Sequence, residues 1–273
     1  MDPAGLSQLC PQQLWSRLLK RIELSVVVPM HNECGNVIPL MEEIHAALDG
    51  KFAYEAIFVD DGSTDGTAKD LDDAQAQFPT LRVLRHRICS GQSAGIRSGV
   101  KAAKGTWIAT LDGDRQNDPA DIPALWEKLQ EQGDLAPRTL INGHRQKRLD
   151  TFIRRLSSKV GNGVRARLLR DATPDSGCGL KLYARSLYLD MPYFNHMHRF
   201  MPALVQRDGG QTHSVRVHHR NREVGQSKYG VLNRLWVGIV DIRGVRWLQS
   251  RAAVPGVDEI VQQSADSDAT QAS

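Results

Sequence analysis

The chain is expected to be an α/β protein with a mostly parallel, Rossmann-like sheet flanked by helices, and three observations carry that expectation. Short β-prone apolar runs alternate with stretches of helical length and amphipathic spacing. Each apolar run stops at a polar loop rich in Asp, Asn, Gly or Ser. The 41% hydrophobic content of the 273 residues is ample for a core. Repeated strand, polar loop and helix in that order is the pattern of parallel β-α-β units.

Residues 1–21 are expected to be an N-terminal extension in which Leu14, Trp15, Leu18 and Leu19 fall at helical spacing, suited to packing on the body or on a membrane. Residues 23–29 form a β-branched run ended by Pro29, the first strand. The polar loop from His31 leads to a helix over about 37–48. A second strand, 54–59, stops at Asp60-Asp-Gly-Ser-Thr-Asp-Gly-Thr67, where Ser63, Thr64 and Asp65 are natural capping groups for a helix over about 67–77. A third strand, 81–84, precedes the loop Ser90-Gly-Gln-Ser-Ala-Gly95 and a helix to about Lys104. The fourth strand, 106–111, ends abruptly at Asp112-Gly-Asp-Arg-Gln116. None of these loops carries G-x-G-x-x-G or G-x-x-x-x-G-K-[ST], so neither a dinucleotide fold nor a P-loop is supported.

The Asp112-Gly113-Asp114 stretch is the strongest site candidate. Open α/β sheets bind ligands beyond the carboxyl ends of their strands, and two carboxylates spaced two apart in extended backbone can face one way. Hard oxygen ligands of this kind suit Mg²⁺ or Mn²⁺, which takes one or two carboxylates and completes its shell with water and phosphate oxygens; the Gln116 amide is a third candidate ligand. Taken alone, Asp-Gly is also a common turn pair.

Composition narrows the partners. The formal charge of +4 is unevenly placed: basic residues crowd the stretch from Arg138 to Arg170, where Asp150 is the only acid, and again from Arg216 to Arg251. Such a half fits an anionic partner or a solvated basic face. No apolar run approaches the ~18 to 20 residues that span a bilayer, and the polar start has no signal-peptide pattern. Cys10, Cys34, Cys89 and Cys178 lie scattered without a C-x-x-C pair and are read as free thiols. His196, His198, His218 and His219 could suggest metal binding, but the acidic site already supplies ligands for one cation.

Three motifs in order carry a specific resemblance: Val-Val-Val-Pro-Met-His-Asn-Glu (26–33), Val-Asp-Asp-Gly-Ser-Thr-Asp-Gly-Thr (59–67) and Leu-Asp-Gly-Asp-Arg-Gln-Asn-Asp-Pro (111–119). They resemble the signature of family 2 glycosyltransferases with the GT-A fold. Within that family the chain is similar to the dolichol- or polyprenyl-phosphate glycosyltransferases of dolichol-phosphate mannosyltransferase type. Asn-Gly-His-Arg (142–145), Asp-Ser-Gly-Cys-Gly-Leu-Lys (175–181), Met-His-Arg-Phe (197–200) and the 219–230 segment match as well.

The resemblance implies that Pro29, Asn32, Glu33, Asp60 and Asp61 hold the donor nucleotide. It implies that Asp112, Asp114 and Gln116 bind Mg²⁺ or Mn²⁺ bridging the donor diphosphate, with Asp114 and Asp175 counted as catalytic and Asp175 near the anomeric carbon. Arg145, Arg154, Arg222, Ser227 and Lys228 would grip the acceptor phosphate, as Arg forks and a Lys point charge can. Two departures stand out. His31 replaces an aromatic residue common in relatives, which bears on how the base stacks. Arg115 stands where a small or apolar residue is usual; strand alternation, if it persists, would turn it away from the cation, towards solvent or the lipid phosphate, and without alternation cation affinity would fall.

The expected activity is inverting transfer of a hexose from GDP-mannose or a UDP-hexose to a dolichyl or undecaprenyl phosphate. A family 2 transferase acting on a polysaccharide or glycolipid hydroxyl, with Asp175 as base, is the nearest alternative. A nucleotide-sugar pyrophosphorylase would carry a Gly-rich basic loop after its first strand, absent here, and a non-catalytic binding protein would not need the acidic site. The expected divisions are the extension 1–21, a catalytic domain 22–228, amphipathic and interfacial helices 229–251, and a disordered tail 252–273. Expected partners are the donor, the lipid phosphate, a membrane surface and a separate integral membrane protein, with no nucleic acid. The expected location is cytoplasmic, peripheral at the cytoplasmic face of a membrane.

Overall fold

The computed structural model describes residues 21–145, 167–171, 173–220 and 231–255, with side chains from 238 in the last stretch. The expectations for residues 1–20, Arg154, Arg222, Ser227, Lys228 and the tail beyond 255 lie outside the described residues.

Seven strands form one sheet in the order β3-β2-β1-β4-β6-β5-β7. β1 (Leu24–Met30) runs parallel to both β2 (Tyr54–Asp60) and β4 (Trp107–Thr110), and β2 runs parallel to β3 (Leu81–Arg85). These are the four strands legible in the sequence. The ladder between β1 and β4 stops at Val27↔Thr110, so the missing N–H of Pro29 falls past its end. Three further strands complete the sheet: β5 (Thr139–Arg145), β6 (Lys181–Ala184) and β7 (Gln211–Val217). β6 alone is reversed, antiparallel to β4 and β5, while β5 and β7 are parallel. The expected mostly parallel sheet is therefore the one observed.

Helices cover both faces. α1 (Val37–Leu48), α2 (Thr67–Gln77) and α4 (Ile122–Gln130) pack with Val26, Val28, Met30 and Phe58 on one side. α3 (Gln92–Ala102), α5 (Arg185–Asp190), α6 (Met201–Arg207) and α7 (Val231–Ser250) lie on the other, with Val27, Ile57, Val59 and Ile108. The two-residue alternation of β1 decides which face each side chain serves, and because both faces are covered the strand reads as continuously apolar. α3 approaches β1 closely: a Cβ at Gly99 would lie 2.4 Å from Val27 Cγ1, so only glycine permits that spacing.

Capping differs from expectation. Gly66 is the N-cap of α2, and no N-cap side chain bonds the helix. Asp65 accepts from Thr67 N at 2.9 Å instead, while Ser63 Oγ accepts from Asn32 N at 3.0 Å and Thr64 N donates to Asn32 Oδ1 at 2.8 Å. Ser63 and Thr64 thus tie β2's end to β1's end, while Asp65 satisfies the first N–H of α2.

Topology explains the site. The parallel strands end at one edge, delivering Met30–Glu33, Asp60–Asp61, His86 and Asp112–Gln116 together. Because β6 is reversed and pairs Lys181 with both Thr110 and Asn142, its entry loop 175–180 opens at that same edge. Arg145 pairs with Val217, which brings His218–Arg220 there as well.

Candidate active site

Asp112 emerges two residues past the end of β4. Its Oδ1 accepts from Gln92 Nε2 at 2.7 Å, and Gly179 lies directly against its carboxylate. Desolvation first, then the like charge of Asp114, pushes the Asp112 carboxyl up to about 6, against the opposing pull of Lys181, Arg145 and the Gln92 bond. Asp114 accepts from Gln116 N at 3.2 Å. Gln116 spends Nε2 on the Arg220 carbonyl at 3.4 Å, and Arg220 N donates to the Gln116 carbonyl at 2.9 Å. The acidic loop and the 217–220 segment are therefore laced together, with Asn117 and His219 forming an isolated antiparallel bridge.

These residues fit a divalent cation. Two carboxylates in a desolvated corner repel one another, and a cation removes both that repulsion and the desolvation penalty. Beside them His219, whose pKa burial and then the Arg145 charge push below its ordinary value against the pull of Asp114 and Asp175, holds a buried Nδ1 with no hydrogen-bond partner. Among the described residues no three His, Cys, Asp or Glu side chains form a closed metal cluster. An open site with two carboxylates, completed by an amide, water and phosphate oxygens, is the arrangement Mg²⁺ and Mn²⁺ accept.

The structure pairs Asp175 with Arg145. The carboxylate, only 5% exposed, accepts from Arg145 Nε at 2.7 Å and from Nη2 at 2.8 Å, a two-point fork. Desolvation opposes the Arg145 charge, but Asp175 outweighs it and holds the guanidinium protonated beyond its ordinary value. The loop that follows is fixed from inside. Lys181, buried, donates to the carbonyls of Ser176 and Cys178; Thr110 Oγ1 donates to the Gly179 carbonyl at 2.7 Å; and Asn142 Nδ2 donates to the Asp175 carbonyl at 2.9 Å. Burial drives the Lys181 pKa down, while Cys178, Asp112 and Asp175 push it back up.

Past the end of β2, Asp61 accepts from His86 Nδ1 at 2.6 Å, Ser90 N at 2.9 Å and Gly91 N at 2.7 Å. Desolvation raises its pKa, but these bonds and the Cys89 thiol more than offset that and leave it below the ordinary value. Asp60, also buried, accepts from Ser63 N at 3.0 Å. Asn32 adopts a left-handed φ of 54°, and Glu33 accepts from Asn36 Nδ2 at 2.8 Å. Pro29 is half-buried against α3, where a Cβ on Gly95 would meet it at 2.9 Å. The structure brings Pro29, Asn32, Glu33, Asp60 and Asp61 to one edge, where Asp61 anchors the 86–91 loop through side-chain bonds.

Arg115 is turned to α1 rather than to open solvent. It takes a left-handed φ of 59° and its guanidinium pairs with Glu43 of α1 at 2.7 Å. The strand ends at Thr110, so alternation does not reach residue 115.

Sequence reasoning did not single out Gln92, Gly179, Lys181 or Ser93 as site residues. The first turn of α3 joins the site at three successive positions: Gly91 N to Asp61, Gln92 to Asp112, and Ser93 Oγ to His198 Nδ1 at 2.7 Å. Desolvation, then Lys181, Arg199 and His196, lowers His198 to about 3, so it is neutral at physiological pH. The available signal was position: a polar residue opening a helix after a parallel strand faces the ligand edge.

The family 2 glycosyl transferase model matches residues 25–191, the span holding both acidic loops and the 175–181 loop. The chain belongs to glycosyl transferase family 2. It is 36% identical over 243 residues to the dodecaprenyl-phosphate galacturonate synthase of Rhizobium johnstonii, covering 87% of this chain and 70% of that protein. It is 36% identical over 213 residues to the undecaprenyl-phosphate 4-deoxy-4-formamido-L-arabinose transferase of Edwardsiella ictaluri, covering 77% of this chain and 63% of that protein. Among solved structures it is similar to glucosyl-3-phosphoglycerate synthase of Mycobacterium tuberculosis, determined with Mn²⁺, UDP-glucose and phosphoglyceric acid. The TM-score is 0.63 at 18% identity, covering 91% of this chain and 86% of that one. That likeness is one of fold, and the fold is the GT-A architecture the motifs imply.

Proposed function

We propose that this family member transfers a hexose, with inversion, from a nucleotide diphosphate sugar such as GDP-mannose or a UDP-hexose to a polyprenyl phosphate. The observation that carries the choice of acceptor is the Asp175–Arg145 fork. A hydroxyl acceptor needs a carboxylate base, and a carboxylate held at both oxygens by a guanidinium is a poor one. A phosphate monoester needs no base, because its second pKa near ~6 leaves it largely dianionic at neutral pH.

In this reading Asp112, Asp114 and Oε1 of Gln116 hold Mg²⁺ or Mn²⁺, which when bound neutralises the diphosphate as it departs. Gln92 and Gly179 fix the Asp112 carboxylate, and Pro29, Asn32, Glu33, Asp60 and Asp61 shape the nucleotide's seat. Arg145, Arg154, Arg222, Ser227 and Lys228 orient the acceptor, whose phosphate oxygen forms a bond to the anomeric carbon as the bond to the diphosphate oxygen breaks. The single displacement inverts the centre. The work done is orientation and electrostatics.

The acceptor implies a membrane surface, and α7 offers one. Ile242, Val245 and Leu248 pack on the body, while Val240 is 52% and Trp247 59% exposed beside exposed Arg243 and Arg246. Ile242, Val245 and Leu248 are thus core, and the outward arc of the described side chains keeps the mixture of Trp, aliphatic and Arg groups suited to an anionic leaflet. Among the described residues no helix is long and apolar enough to cross a membrane. Peripheral association at the cytoplasmic face, direct or through an integral membrane partner, follows from this reading. The experiment is a panel of nucleotide sugars against short polyprenyl phosphates with Mn²⁺ or Mg²⁺. Formation of a lipid-linked sugar from one donor is expected; transfer only to polysaccharide or glycolipid hydroxyls would overturn it.

A further inference from the structure

Glu43 lies on the second turn of α1, outside the site, yet each of its carboxylate oxygens is held by an arginine from a different part of the site. Oε1 pairs with Arg115 Nη2 at 2.7 Å, and Oε2 pairs with Arg220 Nη1 at 2.8 Å. Arg220 also binds Asp118 at 2.6 Å through its other terminal nitrogen. The Glu43 and Arg115 side chains are each 22% exposed and that of Arg220 38%, and one carboxylate serves two guanidiniums.

The two arginines come from segments with separate tasks. Arg115 sits between Asp114 and Gln116 in a left-handed conformation that residues with side chains rarely adopt, so the acidic loop needs an anchor at that point. Arg220 stands two residues before Arg222, one of the proposed acceptor-phosphate residues, and is bonded through its backbone to Gln116. A shift of Glu43 would move the acidic loop and the lead-in to Arg222 together.

We propose that Glu43 is a positioning residue for glycosyl transfer, a single carboxylate that fixes the Asp112–Gln116 loop and the 219–220 segment against each other and so couples the donor side of the site to its acceptor side. The inference rests on the proposed transfer reaction. Calorimetry of the full chain with Mn²⁺ and GDP or UDP reads the donor side, and KM for a short polyprenyl phosphate reads the acceptor side. Outer residues that orient ligand-bearing groups typically matter by 10- to 100-fold, so Glu43→Gln is expected to weaken Mn²⁺–nucleotide binding and to raise the acceptor KM by roughly 10-fold each. Arg115→Gln should move mainly the first quantity and Arg220→Gln mainly the second, while Glu43→Asp, which keeps the charge, should recover part of both. If Glu43→Gln fails to fold, the two arginine variants carry the same division. Both quantities within about twofold of wild type in Glu43→Gln, whatever its Tm, would overturn the proposal, as would arginine variants that shift both alike. Wild-type protein that binds neither nucleotide with Mn²⁺ would overturn the transfer reading, and the role of Glu43 with it.

Discussion

Gly179→Ala isolates the geometry of the acidic site from its composition. The backbone of Gly179 does not need a positive φ, so alanine brings no conformational penalty of that kind. Its Cβ would lie 2.2 Å from Asp112 Oδ2, 2.3 Å from Cγ and 2.4 Å from Oδ1, where ordinary contact begins at 3.4 Å. The carboxylate, or the strand end beneath it, must therefore yield by about 1.2 Å. The loop cannot readily retreat, because the Gly179 carbonyl is bonded to Thr110 Oγ1 at 2.7 Å and Gly143 N holds the Leu180 carbonyl at 2.9 Å. Asp112 is the freer partner and should swing away, breaking its bond to Gln92. A misplacement of ~1 Å at a reacting centre can lower the rate by roughly 10²-fold, about 2.7 kcal/mol of barrier. The assay is transfer at several Mn²⁺ concentrations with a thermal melt alongside. The expected result is a near-native Tm with turnover reduced by about two orders of magnitude. A folded variant turning over within about threefold of wild type would refute the cradle and the placement of Asp112 in the site.

Four further outcomes are expected. Asp112→Ala or Asp114→Ala should lower transfer by roughly 10²-fold or more at saturating Mg²⁺ or Mn²⁺, and near-normal turnover would remove the metal site. Arg222→Ala and Lys228→Ala should raise the acceptor KM, each losing one charge-assisted contact worth about 1.5 to 3 kcal/mol, while calorimetry finds nucleoside diphosphate affinity unchanged; equal loss of nucleotide binding would move them to the donor side. Asp61, held below its ordinary pKa of 3.8, contributes stability that is full above that value and is lost as pH falls through its folded-state pKa. Asp61→Asn should accordingly lower Tm near neutrality by a margin that narrows below about pH 4, and an equal gap at pH 7 and pH 3 would contradict the assignment. The protein should co-sediment with anionic vesicles at low salt, and Trp247→Ser with Arg243→Glu and Arg246→Glu should weaken this without touching nucleotide binding; wild-type protein that ignores the vesicles would make the outer arc of α7 a partner interface.

The first half of the chain was legible because local signals agree there with the tertiary result. Val37–Leu48 and Thr67–Gln77 are helices over the expected ranges, since their buried rows recur at helical spacing and polar loops delimit them. The strands from Leu24 and Tyr54 end within a residue of expectation for the same reason. Beyond residue 119 the signals weaken. β6 is four residues long and begins at the last residue of what reads as a motif, and β7 is an edge strand whose Gln211-Thr-His-Ser start carries no apolar alternation. Both are strands because of what they pair with. The partners in the site follow that division: the D-G-D pair is visible in sequence, whereas Gly179 under Asp112 and Lys181 behind Asp175 depend on one reversed strand between two parallel ones.

That reversed strand also bears on why a carboxylate so close to the acidic site is committed to a salt bridge. β6 enters the sheet at the edge where β4 and β5 leave it, so the 175–180 loop is placed between Arg145 at the end of β5 and Asp112 just past β4. Removing Arg145 would take from the buried Asp175 the cation that offsets its charge near the acidic pair, and removing Asp175 would likewise cost the buried Arg145 its counter-charge. Paired, they are neutral together and can be held near a donor diphosphate without repelling it or competing with the acidic pair for a cation. The guanidinium still has N–H donors beyond the two the fork uses, so Arg145 can meet an incoming phosphate oxygen while Asp175 keeps its plane fixed. Under this arrangement Asp175→Asn should damage transfer through a misaligned Arg145, seen as a raised acceptor KM, rather than through loss of a base, seen as a displaced acidic limb in the pH–rate profile. An acidic limb that moves with the substitution would restore Asp175 as a base and reopen the hydroxyl-acceptor reading.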